Sequence, residues 1–82
     1  MKCYVYFLYS ESRMKYYVGI TNDLKERLSR HNSGQSLSTK SGMPWNLFHT
    51  IECDNKAMAM LLEKKIKNRG IGRYLSDNNI LR

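Results

Sequence analysis

The chain has 82 residues, with 14 Lys+Arg against 7 Asp+Glu and a formal net charge of +7 at pH 7. A hydrophobic fraction of 41% with 11% aromatics excludes an intrinsically disordered chain, because that much apolar surface offsets the entropy of ordering. The length suits one domain over residues 1–82, and no apolar run approaches the roughly 18 residues of a membrane span or resembles a signal-peptide core, so a soluble, cytoplasmic protein with an anionic partner and no membrane association is expected.

Residues 3–9 and 15–20 are aromatic and β-branched and are separated by the polar run Ser10-Glu-Ser-Arg13, which predicts a hairpin. With the turn centred on Glu11-Ser12, Tyr6 lies opposite Tyr17. Gly19 then lies on the face of Tyr17, where a missing side chain lets a ligand or another backbone come close. Thr21-Asn22-Asp23 supply capping groups for a helix of about ten residues with Leu24 and Leu28 on its buried face, ending near Asn32-Ser33-Gly34. Residues 33–44 read as a loop with Lys40 as its one charge; a stretch that long without periodicity is often functional.

Residues 45–53 form the third predicted strand. Asp54-Asn55 cap a second helix over 56–69, in which Met58, Leu62 and Ile66 make an i, i+4, i+8 stripe. Gly70 breaks it, and a short last helix over 71–79 packs Tyr74 and Leu75 back on the core. The order β-β-α-β-α-α predicts an α+β fold, a small three-stranded antiparallel sheet flanked by helices. The five Met are expected to fill irregular gaps in the core. Cys3 and Cys53 are too few for a disulfide scaffold and lack zinc-ligand spacing, so both read as small buried hydrophobes.

The basic charge is concentrated. Positions 56–73 hold Lys56, Lys64, Lys65, Lys67, Arg69 and Arg73 against Glu63 alone. Such a run is either a solvated helix face or a phosphate-attracting surface. Glu63 is either the partner of Lys67 one turn on, or a carboxylate at the core's edge that holds a hard divalent ion. Arg27 and His31, four residues apart, share a helix face; they either snorkel and cap, or bind phosphate and move protons. Five of the six tyrosines (Tyr4, Tyr6, Tyr9, Tyr16 and Tyr17) lie in the hairpin, where they pack across strands or offer a hydroxyl as proton acceptor.

Taken together, Tyr4-Val-Tyr6 and Tyr17-Val-Gly19 resemble the paired motifs of the GIY-YIG endonucleases. The resemblance continues through Gly19-Ile-Thr-Asn-Asp-Leu24, Arg27, His31-Asn-Ser-Gly34, Thr39-Lys40, Pro44-Trp45 and Ala59…Glu63…Ile66-Lys67, spanning about residues 3–75. It is similar to the short, single-domain branch of the family, akin to the nuclease domain of bacterial excision repair. The resemblance implies metal-dependent phosphodiester hydrolysis on a three-stranded sheet. Glu63 would bind a single Mg²⁺ or Mn²⁺, and Arg27 would stabilise transition-state charge. Tyr6 and Tyr17 would serve as or position the general base, and His31 would relay a proton or bind phosphate. Tyr replaces the Gly of the first motif and Val18 replaces Ile. The family's phosphate-holding Asn has no counterpart in Gly72-Arg-Tyr-Leu75, which leaves Asn68, Asn78 or Asn79 as substitutes. From charge alone, Lys40, Lys64, Lys67, Arg69 and Arg73 are the expected nucleic-acid contacts. The resulting expectation is a metal-dependent DNA endonuclease, structure-selective in repair or recombination, with RNA left open and a protein partner for targeting. The alternatives are a non-catalytic basic nucleic-acid-binding module with a vestigial pocket, and a protein-interaction module.

Overall fold

The apolar run near the start of the chain forms β1 (Cys3–Ser10), which pairs antiparallel with β2 (Lys15–Thr21) and with β3 (Trp45–Cys53). The sheet order is β2-β1-β3, so β1 is central and nearly all of it is buried. Helices α1 (Leu24–Asn32), α2 (Lys56–Arg69) and α3 (Ile71–Asp77) complete the expected order β-β-α-β-α-α. The structure, a computed structural model, describes residues 1–81. Among these, no helix is long and apolar enough to cross a membrane.

Strand alternation divides the core into two layers. Cys3, Val5 and Phe7 point to one face and pack with Val18, Ala59, Ile66 and Leu75, so α2 and α3 cover that side. Tyr6 and Leu8 point to the other, against Trp45, with Tyr17, Leu24, Leu28 and Met43 around them. Burying Val5, Phe7 or Ile66 fully contributes about 1.5–3 kcal/mol each. Tyr74 and Leu75 pack back as expected: Leu75 is buried and Tyr74 stacks on Phe7. Side-chain caps start both longer helices. Asp23 Oδ1 accepts from the Glu26 amide at 3.1 Å, and Asn55 Oδ1 from the Met58 amide at 2.9 Å.

Four sequence-based expectations need correction. The hairpin turn occupies residues 11–14, not a pair centred on Glu11-Ser12, with Met14 at a φ of 52°. Tyr6 therefore pairs with Gly19, and Tyr17 with Leu8. A slip of two residues keeps every side chain on its face, so the layers are unaffected. In α2 the buried positions are Ala59 and Ile66, with Leu62 partly buried, whereas Met58 is half exposed. The core-facing stripe thus runs i, i+3, i+7. Met1, Met14, Met58 and Met60 are all exposed, and of the five Met only Met43 fills a core gap. The last helix ends at Asp77, with Asn78 as its C-cap, two residues before the expected end.

Two features escape a periodicity reading. Residues 33–44 are folded down and carry a short 3₁₀ turn (Lys40–Gly42), with Thr39 fully buried. In β3 a bulge opposite Phe7/Leu8 shifts the register from Phe7–His49 to Leu8–Leu47. Unbroken alternation from Cys53 would put Trp45 under α2. The extra residue turns Trp45 to the α1 face while Phe48 and Ile51 stay on the α2 side.

Candidate active site

The α1 face of the sheet carries a cluster of polar aromatic groups. Tyr6, from β1, is 2% exposed, and its Oη lies 2.9 Å from Nε2 of His31. His31 sits one turn beyond Arg27 on α1 and is also 2% exposed. Tyr17, from β2, is half-buried, and its ring meets His31 edge-on at a centroid distance of 4.9 Å. Burial pushes the Tyr6 hydroxyl up to about 12; neighbouring Tyr17 adds to this, and the Arg27 guanidinium opposes it. The His31 imidazole is held below its ordinary range, first by burial and then by the cations Arg27 and Arg30. Near pH 7 both groups are therefore neutral.

Gly19 serves this cluster in an unexpected way. A Cβ there would lie 2.6 Å from Tyr6 Oη and 2.7 Å from Cζ, so the space is filled by the Tyr6 ring tip and is not left for a ligand. Gly19→Ala must push that ring out of a packed layer. We expect a loss of about 1–3 kcal/mol in urea unfolding. An unchanged unfolding midpoint would show that Tyr6 has room to move.

Arg27 links the cluster to an open cleft of about 560 Å³, lined by Lys2, Asn22, Arg27, Lys56, Met60 and Glu63 among others. Here α1 and α2, which cover opposite faces of the sheet, present Arg27 and Glu63 to one space around the end of β2. The Arg27 Nε is buried without a hydrogen-bond partner among the described residues. Glu63 is only 23% exposed and pairs with Lys67 Nζ at 3.5 Å. Glu63 therefore has the expected one-turn partner and also stands at the core's edge in a polar cleft. Among the described residues no three His, Cys, Asp or Glu side chains converge. A lone carboxylate does not fit a zinc or calcium cage. It fits a hard divalent ion that keeps most of its water and takes further oxygens from a phosphate.

Of the sequence-predicted site residues, the structure brings Tyr6, Tyr17, Arg27 and His31 together and sets Glu63 across the cleft from Arg27. Lys40, Lys64, Lys67, Arg69 and Arg73 are exposed and do not line the cleft. Arg69 is engaged by Asp77 through Nε at 2.7 Å and a second nitrogen at 3.1 Å, which takes two of its five N–H donors and neutralises its charge locally. Asn78 caps α3 by donating to the Tyr74 carbonyl at 2.8 Å, and the asparagine in the cleft is Asn22. Lys56 was legible only as part of a charge run, yet Lys56, Met60 and Glu63 follow at i, i+4 and i+7 and share a face. Lys2 carried no sequence signal. Thr39, whose hydroxyl lies 2.8 Å from His31 Nδ1, is marked in the sequence by the family resemblance and by no periodicity.

This fold and cluster define a GIY-YIG domain, and the chain belongs to that family: the GIY-YIG catalytic domain matches residues 2–70. Within it, the chain is 36% identical over 70 residues to the UPF0213 protein YsiG of Lactococcus lactis, a match covering 84% of this chain and 67% of that protein. It is 37% identical over 65 residues to the structure-specific endonuclease subunit slx1 of Schizosaccharomyces pombe, covering 74% of this chain but 24% of that protein. The solution NMR structure of a UPF0213 protein from Bacillus halodurans aligns with a TM-score of 0.57 at 28% identity, over 98% of this chain and 83% of that one.

Proposed function

We propose that the chain is a divalent-metal-dependent endonuclease that hydrolyses phosphodiester bonds in DNA. The observation that carries this reading is the meeting of Arg27 and Glu63 in one cleft beside the Tyr6–His31 pair. Glu63 would hold the ion; a bound Mg²⁺ or Mn²⁺ supplies charge to polarise the phosphate and assist the leaving oxygen. Arg27 brings an always-charged guanidinium to the same space, where it stabilises charge developing on the phosphate. Tyr6 stays protonated and anchors the site through His31. Tyr17, half-buried against His31 and Trp45, is the tyrosine assigned to the attacking water. Lys56 adds positive charge to the cleft, where Lys2 is paired with Asp54 at 2.8 Å and Glu52 at 3.7 Å, and Lys40, Lys64 and Lys67 add it to the surface around. Arg73 belongs with that surface, while Arg69 is tied to Asp77. The reading includes a cytoplasmic location and a role in DNA repair or recombination. As slx1 of the fission yeast is named a subunit of a structure-specific endonuclease, a protein partner that directs this small domain to its target belongs to the reading too.

The test is cleavage of supercoiled plasmid and of branched DNA by the purified protein. Nicking with Mg²⁺ or Mn²⁺ that stops on chelation is expected. Intact DNA across several divalent ions, with salt-sensitive binding retained, would replace the enzyme by a non-catalytic nucleic-acid-binding module.

A further inference from the structure

The Tyr6–His31 pair is the middle of a longer chain of polar groups. Both ring nitrogens of His31 are engaged: Nε2 lies 2.9 Å from Tyr6 Oη, and Nδ1 lies 2.8 Å from Thr39 Oγ1. Thr39 is fully buried, and its hydroxyl also reaches the Ser36 carbonyl at 3.4 Å. A neutral imidazole carries one ring N–H, so it donates at one nitrogen and accepts at the other. The two ends of the chain decide which.

A carbonyl only accepts. The Thr39 hydroxyl has one hydrogen, so both of its contacts are hydrogen bonds only when it donates to Ser36 and Oγ1 accepts from His31 Nδ1. At the other end, the Arg27 guanidinium only donates. The buried Tyr6 hydroxyl keeps its hydrogen, and the acceptor within reach is His31 Nε2 at 2.9 Å; the nearby Arg27 charge, which offers no acceptor, favours the same direction. Both ends agree on one direction, Tyr6 to His31 to Thr39 to the Ser36 carbonyl.

We infer that Thr39 is a positioning residue that locks His31 in the tautomer with hydrogen on Nδ1, leaving Nε2 bare as the acceptor for the Tyr6 hydroxyl. The lock is itself held in place. The Thr39 carbonyl accepts from Trp45 Nε1 at 2.7 Å, and the Asn32 side chain clamps the Trp45 backbone, donating to its carbonyl at 3.0 Å and accepting from its amide at 2.6 Å. Gly42 leaves room for the indole, since a Cβ there would collide with the Trp45 ring. The folded segment after α1 thus fixes the direction of a hydrogen bond on the sheet, and with it the oxygen lone pair that Tyr6 turns toward Arg27. Its catalytic consequence rests on the nuclease reading above; the tautomer itself does not.

Long-range ¹⁵N–¹H spectra of the ¹⁵N-labelled protein report the tautomer directly. The wild type is expected to show His31 Nδ1 as the protonated nitrogen and Nε2 as the bare one, and Thr39→Ser to keep that pattern. Thr39→Val, which removes the hydroxyl at nearly constant volume, should move the proton to Nε2 in part or in full. Its DNA cleavage rate should fall about 10–100-fold, with DNA affinity unchanged and Thr39→Ser restoring the rate. A wild-type spectrum with hydrogen on Nε2, or a Thr39→Val spectrum unchanged from wild type, overturns the inference. Because the wild-type spectrum needs neither metal nor cleavage, a protein that cuts nothing would refute the nuclease reading and leave the tautomer assignment standing or falling by itself.

Discussion

Glu63→Gln should lower metal-dependent cleavage by about 10³-fold or more and leave the fold as stable as before. The first half follows from the donor set. Among the described residues Glu63 is the one carboxylate lining the cleft, so its neutral isostere removes the charge that would hold the ion, and the transition-state stabilisation supplied through the ion amounts to several kcal/mol. The second half follows from what Glu63 does for stability. Its ion-pair partner is Lys67 at 3.5 Å, whose side chain is 55% exposed, and a one-turn pair of that kind contributes only about 0.3–0.5 kcal/mol. Gln keeps the length and the packing of the stem. Nicking assays across Mg²⁺ and Mn²⁺ concentrations, paired with urea unfolding, separate the two halves. If cleavage survives in Glu63→Gln, the carboxylate is a helix-surface group and the metal reading fails. If cleavage and stability fall together, the experiment has measured unfolding.

Glu63 also marks what is legible in the sequence and what is not. Helical spacing placed Arg27 with His31 and Glu63 with Lys67, and strand alternation placed Tyr6 and Tyr17 on one face. Those relations are local and periodic, so they survive a misjudged turn: the hairpin slipped by two residues without moving any side chain to the other face. What escaped was set by long-range contact or broken period. The bulge in β3 turns Trp45 across the sheet, and only then can its indole N–H reach the Thr39 carbonyl. Thr39 lies in a stretch of Ser, Gly and Lys with no repeat, and its burial depends on that indole. Gly19 does need empty space, but the occupant is the Tyr6 ring of the neighbouring strand and neither a ligand nor another backbone. Met58 was assigned to the core because its spacing fits an i+4 stripe. Ala59 takes that place, its small side chain letting α2 sit close to the strands.

Arg27→Met separates function from stability in the opposite direction to most substitutions. Arg27 reaches the cleft through a half-buried stem, and its Nε is buried without a partner among the described residues. A buried donor left unpaired costs about 1–3 kcal/mol. Met replaces the stem with an apolar chain of similar reach and removes that donor, so the thermal midpoint should hold or rise. The same change removes the charge that would face the developing negative phosphate, and cleavage should fall by about 10²–10³-fold. Arg27→Lys should be nearly as inactive, because a point charge lacks the planar donors of the guanidinium. An internal control comes from the neighbours: Arg27 lowers the pKa of both Tyr6 and His31, so its loss should move both upward. His31, freed of one of the two cations that depress it, should titrate closer to its ordinary range in an NMR pH series. A variant that loses activity with no movement of the His31 titration would place the guanidinium away from the Tyr6–His31 pair. One that loses stability would make Arg27 a structural residue, with its unpaired nitrogen unexplained. Lost cleavage, kept stability and a raised His31 titration together would identify a group held at a cost to the fold for the sake of the site.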